Sequence, residues 1–230
     1  YTNLNAPNYR LVKANVNNPS PENWTDVIPE SDHVLSVNSG GGYLFASYLV
    51  DVQTEIRQYD YDGNLVRNVE LPSIGTAGGF SAEEDDEFLY YTSTSFTYPS
   101  TSYKHYIDEG RWELYWSPDI DFNPEDYVTE QVFYESKDGT EIPMFITYKK
   151  GLEMDGSNPT YLYGYGGFNV SLRPSFSVAR LIWLENGGIY AQPNIRGGGE
   201  YGKEWHLAGT KMNKQNVFDD FQAAARWLIE

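Results

Sequence analysis

Cysteine is missing from the 230 residues. That excludes a disulfide framework, a thiolate metal site and a cysteine nucleophile. Histidine is scarce: His33, His105 and His206 are the only three, and none has a second histidine at i+3 or i+4. The spacing therefore carries no zinc signature, and neither a metal nor an organic cofactor is expected. Basic residues are outnumbered, 16 against 33 acidic, for a formal net charge of −17. A chain so acidic repels phosphate backbones, which argues against a nucleic-acid partner. No run approaches the ~18 apolar residues of a membrane span. No signal segment opens the sequence and no Gly-Lys-Ser/Thr phosphate loop occurs in it. A soluble protein with no membrane partner is expected, cytoplasmic in the first instance and periplasmic as the alternative.

Apolar residues make up 40% and aromatic residues 16%, with 20 tyrosines. That is enough to build a core, and the aromatic excess favours strands. The first half reads as short strands at residues 9–14, 42–50, 55–59, 65–71, 87–93, 102–106 and 112–117. Asp62-Gly63 lies between two of them as a tight-hairpin signal, and Glu109-Gly110 holds a similar place further on. Residues 59–63 (YDYDG) echo 105–110 (HYIDEG), and Tyr43-Leu44-Phe45 echoes Phe88-Leu89-Tyr90. Offsets in the mid-forties match the repeat of propeller blades, each a four-stranded antiparallel sheet. Two blades and the last hairpin of a preceding one fit into residues 1–118.

The pattern changes after Pro118. Residues 119–127 read as a linker, and 128–230 read as a different domain. A hairpin at 131–136 and 141–148 turns through Lys137-Asp138-Gly139-Thr140. A short apolar strand at 160–163, a helix at 177–185 ended by Gly187-Gly188, and a strand at 189–194 form a βαβ unit, which predicts parallel pairing. Val178, Leu181 and Ile182 share one face of that helix. A last helix is expected from the N-cap Asn216, with Asp219 and Asp220 in its first turn. Val217, Phe218, Phe221, Ala224, Ala225, Leu228 and Ile229 supply its buried stripe.

Residues 163–169 (YGYGGFN) follow the first strand of the βαβ unit, at the strand end where open α/β sheets bind ligands. Glycines there permit tight turning, so Tyr165 can present a phenol O–H to a developing oxyanion and Phe168 can wall an apolar pocket. Buried aromatics in an ordinary glycine turn are the bland alternative. Residues 197–202 (GGGEYG) fit G-x-G-x-x-G, with Asp219 and Asp220 about twenty residues on. Those aspartates open a helix rather than end a strand, and no helix is evident at Gly202. A structural glycine loop is the better account. Arg196 reads as an ion-pair partner and His206 as structural. Asn23-Trp24-Thr25 and Asn169-Val170-Ser171 are glycosylation-type sequons.

Residues 133–145 (FYESKDGTEIPMF), 163–169, 194–202 (NIRGGGEYG) and 213–221 (NKQNVFDDF) together resemble the prolyl oligopeptidase family of serine peptidases. The likeness is dense over 128–230. It is thinner over 1–118, where Pro7-Asn8-Tyr9-Arg10-Leu11 and Thr94-Ser95-Phe96 resemble the family's last blades. It implies β-propeller blades followed by the N-terminal part of an α/β-hydrolase domain. It implies serine endopeptidase action on short proline-containing peptides, on the carboxyl side of proline, by a full-length protein that is monomeric. Tyr165 matches the family's oxyanion-hole tyrosine and Phe168 one of its proline-pocket aromatics. The family's pattern of Asp, then Ala, then an apolar residue ahead of Gly-x-Ser-x-Gly is matched by Asp220, Ala224 and Leu228, and the resemblance implies a nucleophile elbow about fifteen residues past Glu230. The catalytic serine, aspartate and histidine are then all outside this chain, which is expected to be an inactive internal piece. The alternatives are a non-catalytic interaction protein and a peptidase with basic specificity, similar to oligopeptidase B.

Overall fold

The computed structural model describes all 230 residues, in two compact units. One comprises Tyr1–Ser93 and Ser100–Ser117, the other Thr94–Pro99 and Pro118–Glu230. No helix is long and apolar enough to cross a membrane.

In the first unit β1 (Leu11–Lys13) and β2 (Thr25–Ile28) form an antiparallel ribbon. Two four-stranded sheets follow. The first is β3 (Val34–Gly40), β4 (Tyr43–Val50), β5 (Gln53–Tyr59) and β6 (Leu65–Val69), and the second is β7 (Thr76–Gly78), β8 (Phe88–Thr94), β9 (Thr101–Tyr106) and β10 (Arg111–Trp116). The sequence echoes fall on equivalent places. Residues 43–45 and 88–90 each open a second strand, while 59–63 and 105–110 each begin the turn from third to fourth strand. Period-two alternation decides what is buried. On β8 Leu89, Tyr91 and Ser93 face inward and Phe88, Tyr90 and Thr92 face out. Phe45, Ile56, Val69, Ala77, Phe80, Leu89, Tyr91 and Ile107 fill the core between the two sheets.

Strands β2, β3 and β7 lie outside the strands expected from sequence. Val34, Leu35 and Val37 of β3 are interrupted by Ser36 and lead into Asn38-Ser39, which reads as loop until pairing with β4 over seven residues supplies the missing bonds. β7 has only three residues.

The second unit is a four-stranded sheet in the order β11-β12-β14-β13. It is built from β11 (Tyr127–Glu135), β12 (Glu141–Lys149), β13 (Thr160–Leu162) and β14 (Ile189–Pro193). β13 and β14 pair in parallel, the other neighbours antiparallel. Central β12 is buried on both faces from Ile142 to Thr147. Ile142, Met144, Ile146, Ile189 and Ala191 meet Ile195 and the residues Val217 and Ala224 of α3 (Lys214–Ile229). On the other face Phe145 and Tyr190 pack on Phe96, with ring centroids 5.4 and 5.7 Å apart. The Arg180 guanidinium lies 4.1 Å from the centroid of Tyr190. Each fully buried apolar side chain contributes about 1.5–3 kcal/mol.

Helix α1 (Val178–Glu185) buries Leu181 and Leu184 and leaves Val178 and Ile182 exposed. Its inner stripe is therefore not the expected trio, because Ile182 points about 100° round the axis from Leu181. Helix α3 starts earlier than the capping signal suggested. Asn213 precedes it, and Asn216 lies inside, its amide donating to Ala208 O at 2.9 Å. Asp219 and Asp220 consequently sit beyond the first turn, where the helix dipole does little for them. Of the expected stripe, Val217 and Ala224 are buried, Phe221 and Leu228 partly so, and Phe218 and Ile229 are exposed. A third helix, α2 (Gly202–Leu207), begins at Gly202, where none was evident from sequence.

Candidate active-site loop

The segment from Tyr163 to Asn169 leaves β13, anchored by the Tyr163 N–H donating to Ala191 O at 2.9 Å. Gly166 has φ +58°, and a Cβ there would come within 2.5 Å of Val217 Cγ1 and 2.6 Å of Ile195 Cγ1. Only glycine fits both the conformation and the space. Its carbonyl accepts from Lys214 Nζ at 2.6 Å. At the far end the Asn169 N–H lies 3.2 Å from Gly197 O and 3.1 Å from His206 Nδ1. The backbone is thus held at both ends of the turn, while the Tyr165 and Phe168 side chains are free. Tyr165 is 46% exposed and no protein group bonds its hydroxyl; Phe168, at φ +52°, is 86% exposed. Neither ring is part of a packed core.

Under this loop Arg196 joins three segments. Its Nε donates to Asp220 Oδ2 at 3.0 Å and its Nη2 to Asp220 Oδ1 at 2.6 Å, while its N–H reaches Asp220 Oδ2 at 3.0 Å. Nη1 donates to Asp138 Oδ2 at 2.6 Å and Thr140 Oγ1 at 3.1 Å. Ser136 Oγ donates to Asp220 Oδ1 at 2.5 Å. Arg196 and Asp220 are both buried. Burial pushes the guanidinium pKa down, but the bonds from Asp220 and Asp138 outweigh it and leave it raised. The Arg196 hydrogen bond holds the Asp138 carboxyl down to about 2. Arg196 is a structural ion-pair residue, as its sequence context suggested. Sequence reasoning did not find its partners, because they lie 24 and 58 positions away.

The glycine-rich loop after Arg196 is packing, not phosphate binding. A Cβ on Gly209 would stand 2.4 Å from Gly197 N, so the two backbones touch where any side chain would part them. Glu200 folds back and is buried; its Oε1 accepts from Leu172 N at 2.9 Å and Asn194 Nδ2 at 3.3 Å. Burial pushes its carboxyl up. Asn194 Nδ2 also donates to Leu172 O at 2.7 Å, so the chain just after the candidate loop is clamped by two buried polar side chains. His206 is part-buried, with Nδ1 2.8 Å from Gly197 O.

Two family models match parts of the chain. The family model described as the prolyl oligopeptidase N-terminal beta-propeller domain matches residues 1–118, and that of the prolyl oligopeptidase family matches 174–230. A prolyl endopeptidase of Elizabethkingia miricola is 59% identical over 228 residues, 99% of this chain and 32% of the relative. One from Dictyostelium discoideum is 42% identical over the whole of this chain and 32% of its own length. A structure solved in a study of two prolyl endopeptidases superposes with a TM-score of 0.94 at 47% identity, covering 99% of this chain and 34% of that one. Prolyl oligopeptidase B from Galerina marginata, bound to a 35mer hydrolysis and macrocyclization substrate, gives 0.91 at 36% identity, covering 99% and 33%. The chain spans about a third of the length of these relatives. With propeller-type sheets, the start of a hydrolase sheet and matches of this depth across its length, the chain belongs to the prolyl oligopeptidase family.

Proposed function

We propose that the full-length protein is a serine endopeptidase that cleaves short peptides on the carboxyl side of proline, and that Tyr165 and Phe168 belong to its active site. The chain contains no Gly-x-Ser-x-Gly segment, so the nucleophile elbow is supplied from outside these residues. Attack of that serine on the scissile carbonyl creates a tetrahedral oxyanion. The Tyr165 hydroxyl donates to it, together with the backbone N–H that follows the nucleophile. Phe168 offers an apolar wall to the proline ring.

One observation carries the assignment: the Tyr165 hydroxyl is exposed and unbonded on a turn whose backbone is fixed at Gly166 and Asn169. A donor held ready in this way loses little on meeting the charge it stabilises. The prolyl endopeptidase names of the relatives support the substrate class. The test is Tyr165→Phe in the full-length enzyme. A fall in kcat/KM of about 10²–10³-fold is expected, carried mainly by kcat. An unchanged value removes Tyr165 from the oxyanion hole.

A further inference from the structure

Lys214 is the first residue of α3, the helix end at which the dipole disfavours a cation, and the first turn holds no acid to offset it. Helix stability therefore does not account for a lysine there. What its ammonium does is donate to Gly166 O at 2.6 Å, the carbonyl one residue beyond Tyr165. That carbonyl belongs to the left-handed glycine at which Val217, Ile195 and the Arg196 carbonyl leave no room for a side chain. A Cβ built on Gly167 would lie 3.9 Å from Tyr165 Cε1 and 4.0 Å from Lys214 Nζ, so ring and cation flank one peptide.

We propose that Lys214 is a positioning residue for the oxyanion hole, fixing the Gly166 peptide so that the Tyr165 hydroxyl is held where the oxyanion forms. The inference rests on the oxyanion role proposed for Tyr165. A charge-assisted bond on the adjacent peptide restricts the backbone torsions that aim the ring. The same α3 turn brings Val217 against Gly166, so cation and steric wall act on the turn from one rigid element.

The experiment is a double-mutant cycle in the full-length enzyme, combining Lys214→Met with Tyr165→Phe and reading kcat and KM on a short proline-containing peptide. Lys214→Met alone is expected to lower kcat about 10-fold with KM within about twofold, and Lys214→Arg to recover most of the loss. In the Tyr165→Phe background Lys214→Met is expected to change kcat less than about twofold, because the group it aims is gone. An equal loss in both backgrounds overturns the positioning role while leaving the oxyanion reading intact. No loss on Lys214→Met, with a large loss on Tyr165→Phe, does the same. No loss on Tyr165→Phe overturns the oxyanion reading and this inference with it. Should Lys214→Met lower the Tm by more than about 5 °C, Lys214→Gln, whose amide is uncharged and one bond shorter than the ammonium, replaces it in the same cycle with the same outcomes.

Discussion

His105 stands on β9 with its ring fully buried and neither nitrogen hydrogen-bonded. Phe45, Phe80 and Tyr91 surround it edge to face at centroid distances of 6.2 to 6.4 Å. Burial, helped by the Arg67 charge, lowers its pKa to about 4. Above pH ~6.5 neither the folded nor the unfolded chain protonates this ring, and the neutral form suits the pocket. Between ~6.5 and 4 only the unfolded chain takes up the proton, so stability falls as the pH falls, by up to roughly 3 kcal/mol. Below 4 this residue adds no further loss. The Asp138 contribution is lost lower still, between its ordinary value and about 2. His105→Leu should flatten the change in urea midpoint between pH 7 and pH 4.5 measured on the full-length protein. An unaltered slope would place the proton uptake elsewhere. At this scale the sequence was legible where chemistry is local, as in the tight glycine turn at Gly166. It was not legible for His105, whose inward register depends on strand pairings that no window of sequence displays.

Segments are joined by buried charge as much as by apolar packing. Arg196 at the end of β14, Asp220 on α3 and the β11–β12 turn at Ser136, Asp138 and Thr140 meet in one network, with Tyr134 donating to Asp220 O at 3.0 Å. Arg196→Met would leave the Asp220 carboxylate buried and unpaired, a loss of about 3–5 kcal/mol. We expect a fall in Tm of the full-length protein and a partial recovery on adding Asp220→Leu, because removing both charges removes the desolvation penalty along with the bond. A double variant no more stable than Arg196→Met would show that the arginine acts through Asp138 instead. The elements themselves were mostly readable: all three hairpin turns, the βαβ unit with its parallel pair, and the final helix. The errors at the start of the final helix share a cause. Asn216 looks like a cap because its amide is short and polar, yet that amide is taken by Ala208 O. Asp219 and Asp220 look like dipole partners, yet Asp220 is there for Arg196. Tertiary bonds reassigned residues whose local preferences pointed elsewhere.

For the molecule as a whole, charge and exposed apolar surface pull in opposite directions. A net charge of −17 drives copies of the chain apart in dilute salt. Each unit nevertheless has a sheet that finishes in an edge strand, β10 in one and β13 in the other. β10 shows Leu114, Tyr115 and Trp116 at 60, 64 and 55% exposure, and β13 shows Tyr161 at 52%. Open edges of this kind template pairing with another chain, and neither β10 nor β13 contains a proline to block it. At 0.5 M salt the screening length shrinks to about 4 Å, so repulsion between copies fades while apolar contact does not. The 230-residue chain on its own should therefore elute with a light-scattering mass that rises from low to high salt. Leu114→Lys together with Trp116→Lys should suppress that rise, by adding edge lysines and removing the apolar strip. A sample that stays at the mass of one chain at every salt concentration and melts in one cooperative step would mean that these edges are already protected.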